Sequence, residues 1–128
     1  DIIHPQIYRR DFNSYKGIVD KLVKQQFNDK SRIKLAPGVL MKLGSYNISP
    51  DYLLQLIEYN RACGIKGEVF FFYEGLRDNN NALAKVLKQN YYAKSADFPC
   101  LADLNQDVAK EEVVSEKGGL FKFFKSWF

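Results

Sequence analysis

The chain has 128 residues, of which 46% are hydrophobic and 15% aromatic, and 19 basic and 15 acidic side chains give it a net charge of +4. This length is enough for one domain with a hydrophobic core. No run of about 18 apolar residues predicts a transmembrane helix, and no basic stripe typical of nucleic-acid binding precedes the last dozen residues.

The first predicted element is a strand over residues 1–8, which are rich in β-branched and aromatic side chains. Pro5 cannot donate a hydrogen bond to a neighbouring strand, which indicates an edge strand or a bulge. Alternation places Gln6 and Tyr8 on one face. Because the chain opens on strand-forming residues without a Met, we expect a processed chain or a piece of a longer protein.

A helix is predicted next, over residues 12–27, where apolar side chains recur every three to four positions. Asn13 or Ser14 can cap its start. A second strand is predicted within residues 32–41. The Pro-Gly pair inside this stretch interrupts the pattern, so we expect the strand to end near Ala36.

Residues 42–48 are predicted to form a loop because they contain turn-forming glycine and asparagine. A second helix is predicted to follow, up to about residue 63. Its start combines a capping Ser49, Pro50 in the first helical position and an acid, Asp51, in the first turn.

The third strand is predicted over residues 65–73 and contains five consecutive apolar or aromatic residues. Such a run is typical of a strand that is covered on both faces in a parallel sheet. Glu74 follows at the carboxyl end of this strand, where ligand sites lie in parallel α/β folds. A third helix is predicted over about residues 80–93, opened by the polar residues 77–80.

The resulting order, β-α-β-α-β-α, predicts an α/β fold with a parallel sheet and right-handed crossovers. Three such units are too few for a closed barrel, which needs eight. We therefore predict an α/β unit that ends at about residue 99 and a separate tail over residues 100–128. No glycine-rich loop follows a strand, which argues against a nucleotide-binding fold.

The predicted tail ends in an aromatic amphipathic helix over residues 120–128, with two lysines on its polar side. This pattern is typical of helices that lie on a membrane surface and of helices that dock on protein. We favour protein docking, because nine residues with two lysines make a weak membrane anchor. Cys63 and Cys100 lack metal-ligand spacing and no His is near either one, so we predict no metal site, and a disulfide between them stays open. We also predict no cofactor.

Three segments together resemble the C-terminal third of the bacterial glycosyl-hydrolase-like family 10 TIM-barrel proteins. Residues 1–9 are similar to that family's Asp-x-x-x-Pro-Gln-x-Tyr strand, and residues 34–38, Lys-Leu-Ala-Pro-Gly, to its small-residue strand ending in Gly. Residues 55–76 are similar to its closing helix followed by Gly-x-Val-Phe-Phe. The resemblance covers about residues 1–99 and implies strands six to eight of a TIM barrel.

The resemblance also implies carbohydrate chemistry, which uses two carboxylates. Glu74 is the carboxylate directly at the end of a predicted strand, so it is the candidate catalytic residue. The alternatives are that Glu74 caps the next helix or pairs with Arg77. Asp11 and Asp78 are loop candidates farther out, and a second carboxylate is expected on upstream strands that this chain does not contain.

Gln6, Tyr8 and Arg9 are the candidate substrate-binding residues. An amide and a phenol can hydrogen-bond sugar hydroxyls, and Arg9 can bind an acidic substituent. The alternatives are that Gln6 and Tyr8 pack in the sheet and that Arg9 pairs with Asp11. The single histidine, His4, is expected to be packed or solvated and not catalytic.

We therefore expect the C-terminal portion of a glycoside hydrolase that acts on a bacterial polysaccharide or cell-wall glycan and is inactive alone. Its partners would be the carbohydrate and the remainder of the barrel, and the resemblance implies an exported or cell-envelope protein. The alternative is a non-enzymatic module that assembles, for example as a homo-oligomer, through its sheet edges and aromatic tail. Phe72 and Tyr73 are expected in the core and not on a sugar platform.

Overall fold

The architecture is α/β, with a small parallel sheet and helices packed on it. The computed structural model describes residues 1–96, so the predicted tail and any disulfide to Cys100 lie outside the described residues. Within residues 1–96, the regular elements are helices α1 (Phe12–Gln25), α2 (Pro50–Ala62) and α3 (Tyr73–Asn90), a 3-10 turn at Ser31–Lys34, and strands β1 (Gly38–Leu40), β2 (Lys42–Leu43), β3 (Tyr46–Asn47) and β4 (Val69–Phe71).

The sheet consists of parallel backbone segments that neighbour each other in chain order. β1 pairs with β4, with Val39 opposite Phe70. On the other side of β1, the N-terminal segment, residues 1–7, forms two isolated parallel bridges, Ile3 to Leu35 and Gln6 to Gly38. The parallel sheet is therefore confirmed. The first predicted strand is reduced to these bridges, because Pro5 lies between them and has no N–H to donate.

The second strand lies later in the chain than predicted. Residues Ser31–Lys34 form a 3-10 turn, and the strand proper begins at Gly38, beyond the Pro-Gly pair that was expected to end it. The sheet tolerates the Pro-Gly pair because the Pro37 carbonyl and the Gly38 N–H are both hydrogen-bonded to neighbouring segments of the sheet. The Pro37 carbonyl accepts from the Val69 N–H at 3.0 Å, and the Gly38 N–H donates to the Pro5 carbonyl at 2.8 Å.

The predicted loop after β1 is a small hairpin. β2 and β3 pair antiparallel, with Lys42 opposite Asn47. Gly44, predicted as a turn former, lies in the connecting turn with a φ of +57°, a conformation that glycine adopts without a steric penalty. The Ile48 N–H then donates to the Met41 carbonyl and closes the hairpin beside β1.

The starts of the first two helices follow capping chemistry. The Asp11 carboxylate caps α1 by accepting from the Ser14 N–H at 2.9 Å, so the predicted caps, Asn13 and Ser14, were wrong. The carboxylate reaches that N–H from the residue just outside the helix. For α2 the predicted start is confirmed, since the Ser49 hydroxyl accepts from the Tyr52 N–H and Pro50 is the first helical residue.

The third helix differs most from the prediction. It begins at Tyr73, directly after β4, instead of near residue 80. It is broken at Asp78–Asn81, where Asn79, Asn80 and Asn81 have φ values of 51°, 56° and 62°. Asparagine enters this left-handed region more readily than other residues with a side chain. The polar run that was expected to open the helix therefore interrupts it.

One hydrophobic core joins the sheet to the three helices. Its buried side chains come from the N-terminal segment, the β1 region, the hairpin and all three helices, and include Ile7, Tyr15, Val19, Leu35, Val39, Met41, Ile48, Leu53, Leu56, Ile57, Ile65, Leu83 and Leu87. Many of the apolar residues whose alternating or three-to-four spacing predicted these elements are the ones that the core buries.

A buried polar network lies at the amino end of β4, centred on Glu68. The Glu68 side chain is 0% exposed and forms a two-pronged ion pair with Arg61, at 2.6 and 3.0 Å. The Tyr92 hydroxyl donates to Glu68 at 2.7 Å, and the Asn60 amide donates at 3.2 Å. The Asn60 carbonyl oxygen in turn accepts from the Tyr15 hydroxyl at 3.0 Å, so the network ties α1 and α2 to β4.

Candidate functional site

The candidate site lies at the carboxyl end of the sheet. Tyr8 follows the N-terminal segment, Lys42 follows β1 by one residue, and Phe72 to Glu74 follow β4. Parallel strands place these exits at one edge of the sheet, which is where ligands bind in α/β folds. The structure thus brings Tyr8 and Glu74 to the same end of the sheet, as the sequence predicted.

Aromatic rings form a layer at this edge. Tyr8 stacks on Phe71 with 5.2 Å between ring centroids, and the Phe72 ring lies beside Phe71 at 3.7 Å. Gly38 leaves room for this layer, since a Cβ there would lie 3.3 Å from the Tyr8 ring. Burial raises the pKa of Tyr8, so its hydroxyl stays protonated at neutral pH and can donate a hydrogen bond.

Phe72 and Tyr73 are exposed, by 40% and 63%, so the prediction that they belong to the core was wrong. The reason is that β4 ends at Phe71 and α3 begins at Tyr73. The apolar run therefore continues past the strand into the first turn of a helix, where its side chains are no longer covered by both faces of the sheet.

A cavity of about 250 Å³ opens beside this layer. It is lined by Lys42, Leu43, Gly44, Phe72 and Glu74, so the β2–β3 hairpin forms one side and the start of α3 the other. An apolar surface with a few polar groups is typical of small-ligand sites. The lining offers a carboxylate acceptor, an ammonium donor and one exposed aromatic ring.

Glu74 is the predicted site residue that lines the cavity. It lies in the first turn of α3, is exposed, and makes no side-chain hydrogen bond or ion pair within residues 1–96. Arg77 contacts Tyr73 instead of Glu74: its guanidinium lies 6.0 Å from that ring and donates to the Tyr73 hydroxyl at 3.4 Å. The Glu74 carboxylate is therefore available to a ligand.

Lys42 and Asp78 join the two sides of the cavity. The Lys42 ammonium lies 2.5 Å from the Asp78 carboxylate, and both side chains are partly exposed. Gly75 is buried against the same strand exit, where a Cβ would lie only 2.9 Å from the Met41 Cβ. The start of α3 therefore approaches β1 and β2 closely.

Gln6 and Arg9 do not line the cavity, and Gln6 lies at the level of the first residue of β1, before the strand exits. Gln6 is exposed next to Gly38, and Arg9 is exposed with its guanidinium donating to the Tyr8 carbonyl at 3.2 Å. Asp11, the alternative partner of Arg9, caps α1, and the hydrogen bonds from Ser14 lower the pKa of Asp11.

A second aromatic group borders these residues. The Tyr52 hydroxyl donates to the Arg9 carbonyl at 3.0 Å, and the Arg10 guanidinium lies 5.1 Å from the centre of the Tyr46 ring. Burial raises the pKa of Tyr52 to about 12, so this hydroxyl remains a donor at neutral pH. These contacts fix the course of the chain between the N-terminal segment and α1.

His4 lies away from the cavity, toward the start of the N-terminal segment. Its side chain is exposed, and Nδ1 lies 3.2 Å from the Ala36 carbonyl oxygen. No group of three or more potential metal-ligating side chains (His, Cys, Asp or Glu) occurs among the residues that the structure describes. Within the same residues, no helix has both the length and the apolar character needed to span a bilayer.

Lys42, Leu43 and Phe72 were missed as site residues. Lys42 and Leu43 fell in a predicted loop because the strand before them was placed too early. No local pattern marked Lys42, because the end of β1 at Leu40 is set by its pairing with β4. Comparisons of the chain with models of protein families, with curated proteins and with solved structures found no match.

Proposed function

We propose that the chain is the C-terminal portion of a glycoside-hydrolase-like TIM barrel that acts on a bacterial polysaccharide or cell-wall glycan. In this proposal its carboxyl-end surface contributes part of the carbohydrate cleft. The main supporting observation is that the Tyr8, Phe71 and Phe72 rings and the Glu74 carboxylate, which has no side-chain partner within residues 1–96, lie together at one end of a parallel sheet.

The aromatic layer and the cavity suit a sugar for complementary reasons. An exposed aromatic face such as that of Phe72 can cover the apolar face of a pyranose ring. Sugar hydroxyls can donate to the Glu74 carboxylate and accept from the Lys42 ammonium. Gln6 and Arg9 lie outside the cavity lining and would contact parts of a longer glycan beyond the cavity.

The number and pairing of the carboxylates near the cavity support a proposal in which this chain binds a glycan and does not cleave it. Hydrolysis of a glycoside normally uses an acid and a second carboxylate. Among residues 1–96, Glu74 is the carboxylate that lines the cavity, and the nearby Asp78 is paired with Lys42. In the proposal the partner carboxylate comes from upstream strands of the barrel, so the chain alone would not cleave.

The test is a titration of the 128-residue chain with hexamers of N-acetylglucosamine and of glucose, followed by amide chemical shifts. We expect saturable shifts at residues 42–44 and 72–74 and no cleavage. Phe72→Ala should weaken binding about 10-fold, which corresponds to about 1.4 kcal/mol. Tyr91→Ala is the matched control, because Tyr91 is an exposed aromatic residue outside the cavity. Hexamers that shift no cavity residue would refute the proposal.

The alternative, a non-enzymatic assembly module, is favoured by one observation. Within the described residues, neither the outer edge of β4 nor that of the N-terminal segment is paired, and Val69 and Ile3 on these edges are exposed. Unpaired edges with apolar side chains promote strand addition. Light scattering on the whole chain tests this, with Val69→Lys as the variant. A concentration-dependent oligomer that Val69→Lys converts to a monomer supports assembly, and a monomer at all concentrations excludes it.

A further inference from the structure

We propose that Lys42 is a positioning residue, whose ion pair with Asp78 holds the helical turn carrying Glu74 in its ligand-binding position. That turn, residues 73–77, is the Glu74 turn. The ligand in this inference is the neutral carbohydrate of the proposed function, on which it rests. The Lys42–Asp78 ion pair is the clamp in this inference. It is a property of the free protein and can be measured without a ligand.

The Glu74 turn is separate from the body of α3. Asp78 has φ and ψ of −59° and 151°, and the next three asparagines are left-handed. The helical hydrogen-bond ladder is therefore interrupted between the turn and the remainder of the helix. A single helical turn is too short to be stable by itself, because nucleation fixes several residues for few hydrogen bonds. The position of the turn must come from contacts outside α3.

Within residues 1–96, Leu76 packs against the hydrophobic core, and two further contacts are to the exit of β1. Gly75 packs directly on Met41 and Lys42, where a Cβ would lie 2.9 and 3.3 Å from their Cβ atoms. This contact holds the middle of the turn through the backbone of Gly75. The Lys42–Asp78 ion pair, at 2.5 Å, holds the residue immediately after the turn.

Lys42 therefore connects the two sides of the cavity. Its own side chain lines the cavity, and its charge partner ends the turn on which Glu74 lies. Asp78 does not line the cavity, which makes it the informative partner to mutate. Partly exposed ion pairs contribute little to global stability, but they can bias a local opening whose free energy is small. Loss of the pair should loosen the Glu74 turn without unfolding the domain.

Ionic strength gives an independent signature. Salt screens a partly exposed ion pair, since the Debye length falls from about 30 Å at 0.01 M to about 3 Å at 1 M. A neutral oligosaccharide has no charge of its own to be screened. Weaker binding of such a ligand at high salt would therefore report on the clamp, and the salt dependence should disappear when either partner is neutralised.

The experiment compares Lys42→Met, Asp78→Asn and the double variant with the wild-type chain. Amide hydrogen exchange of residues 73–77 is measured without ligand, and affinity for the glucose hexamer at about 0.02 M and about 0.5 M salt. In both single variants we expect exchange to rise about 10-fold and affinity to fall about 3- to 10-fold at low salt. The double variant should match Lys42→Met in both readouts, because once Lys42 is neutral the Asp78 carboxylate has no ion pair left to lose.

Matched controls separate the clamp from other effects. Lys16→Met removes another partly exposed ion pair, Lys16–Asp20 at 2.7 Å on α1, and should change neither readout. Lys42→Arg keeps the charge and should restore low exchange. A circular-dichroism melt checks that each variant is folded, and exchange confined to residues 73–77 excludes general unfolding.

The outcomes separate this inference from the proposed function. Unchanged exchange in Asp78→Asn overturns the clamp, whatever the hexamer does. Raised exchange with no binding of the hexamer by the wild-type chain supports the clamp and counts against the carbohydrate function. Raised exchange with unchanged affinity shows that the turn is clamped but does not position the ligand-binding groups, which also overturns the positioning role.

Discussion

Two carboxylates at opposite ends of β4 have opposite surroundings. Glu68, just before the strand, is 0% exposed and is bound by Arg61, Tyr92 and Asn60. Glu74, two residues after Phe72, is exposed in a cavity and has no side-chain partner within residues 1–96. The amino end of the strand is thus closed by a satisfied network, and the carboxyl end is open.

This difference indicates which carboxylate serves the fold and which is available for binding. A buried charge is tolerated only when it is paired and hydrogen-bonded, so the groups around Glu68 are committed to each other. Burial raises the pKa values of Tyr15 and Tyr92, which keeps both hydroxyls protonated as donors to this network. The exposed Glu74 can instead exchange water for a ligand at little cost.

The largest expected effect comes from breaking the closed end. Arg61→Met would leave the Glu68 carboxylate buried without its counter-charge, and we expect a loss of about 3–5 kcal/mol in the free energy of unfolding. Urea denaturation of the two proteins measures this. Arg77→Met is the control, because Arg77 is exposed and, among the described residues, its guanidinium hydrogen-bonds and stacks with Tyr73 and forms no ion pair. A loss below about 1 kcal/mol would show that Arg61 does not compensate the buried Glu68 charge.

The next effect tests the close approach at the open end, with two glycines that should respond in opposite directions. Gly75→Ala forces a Cβ to within 2.9 Å of the Met41 Cβ and should destabilise by about 1–3 kcal/mol. Gly17→Ala, in an exposed position of α1 with nothing within 4 Å of the added Cβ, should stabilise by about 0.5–1 kcal/mol. Thermal melts measure the change in stability of each variant. Two changes of the same sign would contradict the close packing of the Glu74 turn on Met41.

Much of the fold could be predicted from the sequence, because it follows from local patterns. Apolar periodicity predicted the alternation of strands and helices and hence the parallel sheet. The Ser49-Pro50 start of α2 was also correct, since a cap is local chemistry. What failed depended on partners distant in the chain. The strand beyond Pro37 exists because Val69 and Pro5 use the backbone groups beside the proline, and no local pattern shows them.

The candidate site also contains residues that local sequence predicts and residues that it does not. Glu74 could be predicted because a polar residue directly after a buried strand lies at the carboxyl edge of the sheet. Lys42 could not, since its role depends on Asp78, a partner 36 residues away. The exposure of Phe72 could not be predicted either, because an unbroken apolar run does not show where the strand ends and the helix begins.

The smallest effect on stability, and the sharpest test of the comparison, is one substitution made at both ends of β4. Glu74→Gln removes a charge without changing the size of the side chain, and because the residue is exposed we expect a stability change within about 0.5 kcal/mol. Glu68→Gln removes the same charge from the buried pair with Arg61 and should cost about 3 kcal/mol.

Binding of the glucose hexamer should show the reverse order. Glu74→Gln replaces two equivalent carboxylate acceptors with one amide oxygen and should weaken binding about 10-fold. Glu68→Gln should leave the affinity of the folded fraction unchanged, since its side chain lies at the far end of the strand. Isothermal titration at a temperature where both variants are folded measures this. If Glu74→Gln bound normally and melted early, Glu74 would belong to the fold in the same sense as Glu68, and the open end would not be a carbohydrate cleft.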